Sequence, residues 1–187
     1  MATNSTIHKA VLHISDMDRH YYQEHQLTIA KHPSETDERL MVRIVAFALY
    51  ADEYLIFGKD IGKDITSDDA PALGITDLSG NIQLWIEIGV PDERRIRKAC
   101  GRAQQVVVVT YGRRNAAEMW WDQNKLELAK RTNLTVIHLV TEQTQALAAL
   151  TARTMQLSCT IEDGHVSMMS EVGTVALSPI FLQRASS

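Results

Sequence analysis

The chain has 187 residues, 45% apolar and 22% charged, with a net charge of −4 and a pI of about 6.0. Such a length and composition belong to an ordinary globular chain with a sizeable core, and exclude collagen-like, disulfide-scaffold and disordered classes. The acidic balance excludes a globally basic surface, so any attraction to phosphate must be local.

No apolar run approaches the roughly 20 residues of a membrane span, and the first residues, MATNSTIHKA, lack the order of a signal peptide. The expectation is a cytoplasmic protein with no membrane partner. Cys100 and Cys159 have no second cysteine or histidine at metal-ligand spacing and read as buried free thiols.

Along the chain, STIHKAVLHI (5–14) and YYQEHQLTIA (21–30) are rich in β-formers and flank the turn-like SDMDRH, which predicts a hairpin. His8, His13, His20, His25 and His32 are scattered through this region without a ligand spacing. Ser34 followed by Asp37 resembles a helix cap, and the spacing of Leu40, Ile44 and Phe47 predicts a helix over about 35–51. Residues 58–81, rich in Gly, Asp and Ser, read as a long loop holding at most short strands.

Ile82, Leu84, Ile86 and Ile88 alternate with Gln83, Trp85, Glu87 and Gly89, a strand that follows the turn Ser79-Gly80-Asn81 and so forms the second arm of a hairpin. Pro91-Asp92-Glu93 then starts a helix whose buried face is Ile96, Ala99, Cys100 and Ala103. VVVVTYG (106–112) reads as a central strand covered on both faces, followed by a helix over 115–130, a strand over 134–140, a helix over 141–154 and a hairpin over 155–169 turning at Glu162-Asp163-Gly164. Helices between strands predict an α/β or α+β core with a mixed, partly parallel sheet and additional antiparallel hairpins at both ends, without a linker that would split the 1–187 domain.

Two carboxylates at a strand edge suit Mg²⁺ or Mn²⁺, hard cations that take oxygen ligands, when a nearby cation steadies the developing charge on phosphate. Glu87 is the first such acid. If the hairpin turns near Ser79-Gly80, the position mirroring Glu87 is about residue 72, which makes Asp69 the second acid, with Asp68 beside it and Asp77 too near the turn. Each of these aspartates can equally serve turn formation. Glu38 leans from the first helix toward its apolar side, as a third acid or merely as a favourable charge at the helix start. A lysine two residues after Glu87 would complete the set, but Gly89 stands there. The densest cationic cluster, Arg94, Arg95, Arg97, Lys98 and Arg102 followed by Arg113 and Arg114, is either a solvated helix face or a phosphate contact. On a helical wheel Arg95 lies about 90° and Lys98 about 150° from the buried face, so Arg95 is the first candidate to fill the gap and Lys98 the next. GxSxG, Walker, GxGxxG and HExxH motifs are absent.

HPSETDERLMVRIVAFALYADE, then DDAP, LWIEIGVPDERRIRKAC and VVVVTYG closely resemble the YaeQ family of bacterial proteins over nearly the whole chain. The resemblance implies a variant of the restriction-endonuclease-like PD-(D/E)XK fold, with a nuclease-like core over about residues 35–140. By position it implies Asp69 as the acid of the Pro-Asp half, Glu87 as that of the Glu-x-Lys half and Glu38 as the acid of the first core helix, with Asp69 and Glu87 as metal ligands. Here Pro71 follows Asp69 instead of preceding it, and Gly89 replaces the lysine. Two readings follow: a Mg²⁺- or Mn²⁺-dependent nuclease acting on nucleic acid, in which Glu38, Asp69, Glu87 and Arg95 or Lys98 serve catalysis, and a catalytically inactive binding or regulatory module on a nuclease-like scaffold, which would have a protein partner.

Overall fold

The computed structural model describes residues 4–58, 69–112 and 114–186. Asp68 and Arg113 lie outside the described residues, as does the side chain of Arg114. In chain order the elements are β1 (Thr6–Asp16), β2 (Tyr21–Lys31), α1 (Asp37–Leu49), β3 (Ile56–Phe57), β4 (Leu73–Thr76), β5 (Ile82–Ile88), α2 (Glu93–Arg102) and β6 (Ala103–Thr110). There follow α3 (Arg114–Leu128), β7 (Leu134–His138), α4 (Thr141–Ala148), β8 (Thr154–Glu162), β9 (His165–Ser170), β10 (Gly173–Leu177) and β11 (Ile180–Gln183). The described chain is a mixed α+β structure with two mixed sheets and four helices. Among the described residues no helix is long and apolar enough to cross a membrane.

The chain forms two compact units, one from residues up to Leu49 together with Val140–Pro179, the other from Tyr50–Leu139 and the segment from Ile180 onward. In the first unit a five-stranded sheet runs β10-β9-β8-β1-β2. Both expected hairpins are present, β1 with β2 and β8 with β9, and the parallel pairing of β1 with β8 joins them into one sheet. Period-two alternation sets the register: Ala10, Leu12 and Ile14 stand beside Met155, Leu157 and Cys159, all buried. The β8–β9 turn has Asp163 and Gly164 at φ 51° and 75°, the positive values of a tight hairpin turn. The Asp18 carboxylate accepts the amides of both residues and ties this turn to the one after β1.

The helix over 35–51 forms as α1, but its cap is not Ser34. The Thr36 hydroxyl accepts the Arg39 amide, while the Ser34 hydroxyl is held by His32 at 2.6 Å. Leu40 to Ala48 are all buried, Arg43 among them, and Arg43 pairs with Glu35 at 2.8 Å. The helix expected over 141–154 stops at Ala148, and Thr154 already opens β8.

In the second unit the six-stranded sheet runs β11-β7-β6-β5-β4-β3. Strands β5, β6 and β7 are parallel, and β4, β3 and β11 add antiparallel edges. One face of the parallel strands, Trp85, Val106, Val108, Leu134 and Val136, packs with Ile96 and Ala99 of α2 and Trp120 and Leu128 of α3. Both helices therefore lie over the face that carries Glu87.

Candidate functional site

The site begins at the end of β5. Leu73 of β4 stands opposite Ile86, and the Ala72 amide bonds to the Ile86 carbonyl at 2.9 Å, so residue 72 mirrors Glu87 as the turn position predicts. Asp69 lies three residues before Ala72 in the chain. On the other side β5 ends at Ile88, and Gly89 turns the chain out of the strand at φ 107°, a value that L side chains rarely adopt. The missing lysine is thus a matter of backbone as well as side chain, because position 89 is no longer a strand position facing the way Glu87 faces.

The turn at Gly89 delivers the chain into α2. Asp92 is the N-cap, its carboxylate accepting the Arg95 amide at 2.8 Å. Pro91 stands outside the helix, with its carbonyl accepting the Trp120 indole of α3 at 2.6 Å. At the other end Asn133 donates to the carbonyls of Cys100 and Ala103, both at 3.0 Å. Fixed at its two ends and along Ile96 and Ala99, α2 presents a cationic flank to the two acids.

Both candidate cations reach them. The Arg95 Nε donates to Glu87 Oε1 at 2.9 Å and its Nη2 to the Ala70 carbonyl at 2.9 Å, so one guanidinium ties β5 to the arm that carries Asp69. The Lys98 Nζ donates to Asp69 Oδ2 at 2.8 Å. Glu87 Oε1 also accepts the Trp85 indole Nε1 at 2.7 Å, a bond between side chains two apart on one strand face. The Glu87 side chain is 8% exposed and that of Asp69 43%. The hydrogen bond and charge of Lys98, with Arg102 and Arg95 nearby, hold the Asp69 carboxyl below the ordinary aspartate value.

Asp77 serves the turn: it accepts the amides of Ser79 and Asn81 and the side-chain amides of Asn81 and Gln83. Glu38 belongs to the first unit, in the first turn of α1, half-buried, and burial pushes its carboxyl above the ordinary value. The structure brings Asp69, Glu87, Arg95 and Lys98 together within the second unit. Two further parts, the Trp85 indole and the Ala70 carbonyl, escape the motif-based reading. The spacing of Trp85 and Glu87 signals the first; nothing in the letters signals the second.

Among the described residues no three His, Cys, Asp or Glu side chains surround a common metal position. Asp69 and Glu87 nevertheless offer the donor chemistry a hard cation takes, and Mg²⁺ characteristically needs only one or two carboxylates beside water and substrate phosphate. An ion shared by them would have to compete with Lys98 for Asp69 Oδ2 and with Arg95 for Glu87 Oε1.

A sequence model described as YaeQ protein matches residues 1–179. The uncharacterized protein YaeQ of Escherichia coli (strain K12) is 43% identical over 166 residues, 89% of each chain, and that of Salmonella typhi is 42% identical over the same length. The crystal structure of YaeQ protein from Xanthomonas axonopodis pv. citri superposes with a TM-score of 0.89 at 45% identity, covering 98% of this chain and 100% of that one. YaeQ protein from Pseudomonas syringae gives 0.88 at 29% identity, covering 96% and 97%. With close relatives along its length in both sequence and fold, the chain belongs to the YaeQ family.

Proposed function

We propose that the Asp69–Glu87–Arg95–Lys98 cluster is the phosphodiester-hydrolysing centre of a restriction-endonuclease-like enzyme that uses Mg²⁺ or Mn²⁺ and acts on nucleic acid. The observation that carries this reading is the convergence of two acids, from facing arms of one hairpin, with two cations from a single helix. Asp69 and Glu87 hold the ion, and Trp85 and Arg95 fix the Glu87 carboxylate. Lys98, about half-exposed, exchanges its bond to Asp69 for one to a phosphoryl oxygen or the attacking water, taking the part of the lysine absent at 89. Arg94, Arg97 and Arg102 on the exposed side of α2 hold the nucleic-acid backbone. A bound Mg²⁺ supplies Lewis acidity at the phosphoryl oxygen and a more acidic water. Glu38→Gln in the same cleavage assay tests the catalytic part that the resemblance implies for Glu38.

The test is calorimetric titration with Mn²⁺, wild type against Glu87→Gln, followed by cleavage assays on DNA and RNA with Asp69→Asn and Lys98→Ala as controls. The expected result is ion binding that Glu87→Gln weakens at least tenfold and cleavage that requires both acids. Equal, negligible Mn²⁺ uptake by wild type and variant rejects the metal centre.

One observation favours a second reading, in which this scaffold binds a protein partner without catalysis. Glu87 Oε1 already accepts both an indole and a guanidinium, and Asp69 already holds Lys98, so the cluster neutralises itself. This reading expects a partner complex that survives Asp69→Ala and Glu87→Ala.

A further inference from the structure

The parallel strands of the second unit carry a second polar position on the same face as Glu87. Glu87 pairs with Val108, Val108 with Val136, and Thr110 with His138, so Glu87, Thr110 and His138 share one face at the C-terminal ends of β5, β6 and β7. In open α/β sheets this edge is where ligands bind. The two-strand offset and the shift of two residues separate the Glu87 and His138 Cα atoms by about 12 Å at ordinary sheet spacings.

His138 lines an open cavity of about 260 Å³ between α3 and β11. Ala117, Trp121, Ile180 and Leu182 form its largely apolar wall, and Glu118 and Asp122, one turn apart on α3, stand at its rim. The imidazole has a defined orientation. The buried Thr110 hydroxyl donates to the Ile137 carbonyl at 3.3 Å and meets His138 Nδ1 at 2.9 Å. In the tautomer whose Nδ1–H donates to Thr110, the hydroxyl proton goes to the Ile137 carbonyl and Nε2 is left as an acceptor. Burial lowers the His138 pKa, against the nearby Glu118 charge, which raises it. Glu118 makes no hydrogen bond or ion pair among the described residues, whereas Asp122 is held by Lys125. Apart from the Trp121 indole, the polar side chains of the cavity are therefore acceptors, which repel phosphate and favour a donor.

The geometry points to a pocket for one unpaired nucleobase bearing an exocyclic amine, with Trp121 as the apolar plate and His138 Nε2 and Glu118 accepting the amine. The size suits one planar ring system, since pockets for drug-sized ligands run from roughly 300 Å³ upward. Carboxylates accept from the cytosine amine, and aromatic side chains supply the stacking surface for unpaired bases. The assignment rests on the nucleic-acid reading above but not on metal or cleavage. At about 12 Å from Glu87 the base would lie three to four stacked nucleotides from the scissile position, taking about 3.4 Å each.

The test uses the whole chain in EDTA, where cleavage does not interfere, and fluorescence anisotropy of labelled oligo(dC) and oligo(dT) octamers. Oligo(dC) is expected to bind about fivefold or more tightly, matching the discrimination of a good base-edge contact. Glu118→Ala, at an exposed helix position, and His138→Phe should each erase the preference for oligo(dC). Trp121→Ala should weaken both octamers about tenfold, as loss of a stacking plate does. Binding without base preference, or a preference that survives Glu118→Ala, overturns the pocket and leaves the hydrolytic reading standing; no binding of either octamer likewise overturns the pocket, while the hydrolytic reading stands or falls on Mn²⁺ uptake.

Discussion

The Glu87 carboxylate lies under an indole and a guanidinium with its side chain 8% exposed, whereas Asp69 meets Lys98 with 43% exposed. The same substitution chemistry should therefore have unequal costs. Glu87→Gln preserves shape and an acceptor for Trp85 but removes the charge that Arg95 meets there, a loss of about 1–3 kcal/mol for a hydrogen bond to a charged group that is mostly buried. Asp69→Asn removes an exposed pair and should leave the urea midpoint within error, because exposed ion pairs contribute little. Urea titration of the two variants side by side checks this, and equal losses would show that Lys98 braces the fold as firmly as Arg95 does. The thiols give a pH dependence of known sign. Burial pushes Cys159 up to about 12 and Cys100 up to about 11 from an ordinary 9.0. A group whose pKa is raised in the folded state contributes stability below its unfolded value and loses it as pH rises toward the folded one. Stability should thus fall between about pH 9 and 12, and Cys159→Ala should flatten that fall in urea midpoints measured at pH 8, 9 and 10.

At the scale of elements, the turn between β5 and α2 decides what the site can contain. A Cβ at position 89 would meet open space, yet the φ of 107° penalises any side chain there. Gly89→Lys, which restores the letters of the motif, should cost about 1–3 kcal/mol of backbone strain and leave cleavage no faster, because the lysine would leave from a turn instead of a strand face. Thermal unfolding together with the cleavage assay separates the two effects; a stable and more active variant would show that the turn relaxes into strand. Most of this geometry is legible from local pattern. Alternation sets β5, turn chemistry at Ser79-Gly80 places residue 72 opposite Glu87, and helical spacing puts Arg95 on the flank of α2. The wheel underrates Lys98, which reaches Asp69 because a long flexible side chain spans what a Cβ direction cannot. The helix cap moves from Ser34 to Thr36 because His32 captures the Ser34 hydroxyl, a competition that capping preferences alone do not reveal.

At the scale of the whole molecule, what stays illegible is pairing between segments remote in sequence. The parallel ladder between β1 and β8 joins residues about 145 apart, and neither strand carries a mark of its partner. Likewise β11 returns to pair antiparallel with β7 after the chain has built the last strand of the other sheet. Its role follows from what it bonds. The Gln183 side-chain amide donates to the carbonyls of Leu128, Arg131 and Leu134, the Ala185 amide to the Thr135 hydroxyl, and the Ser186 amide to the Thr132 carbonyl. Those bonds satisfy the end of α3, the loop after it and the outer edge of β7, all groups costly to bury without partners. Ending the chain after Pro179 should therefore loosen the second unit selectively. Hydrogen exchange should show faster exchange at β7 and the last turn of α3, with the β1 and β8 amides still protected. Equal acceleration of β1 and β8 would mean instead that the chain opens as one cooperative body, in which the edge strand of one sheet sets the stability of both.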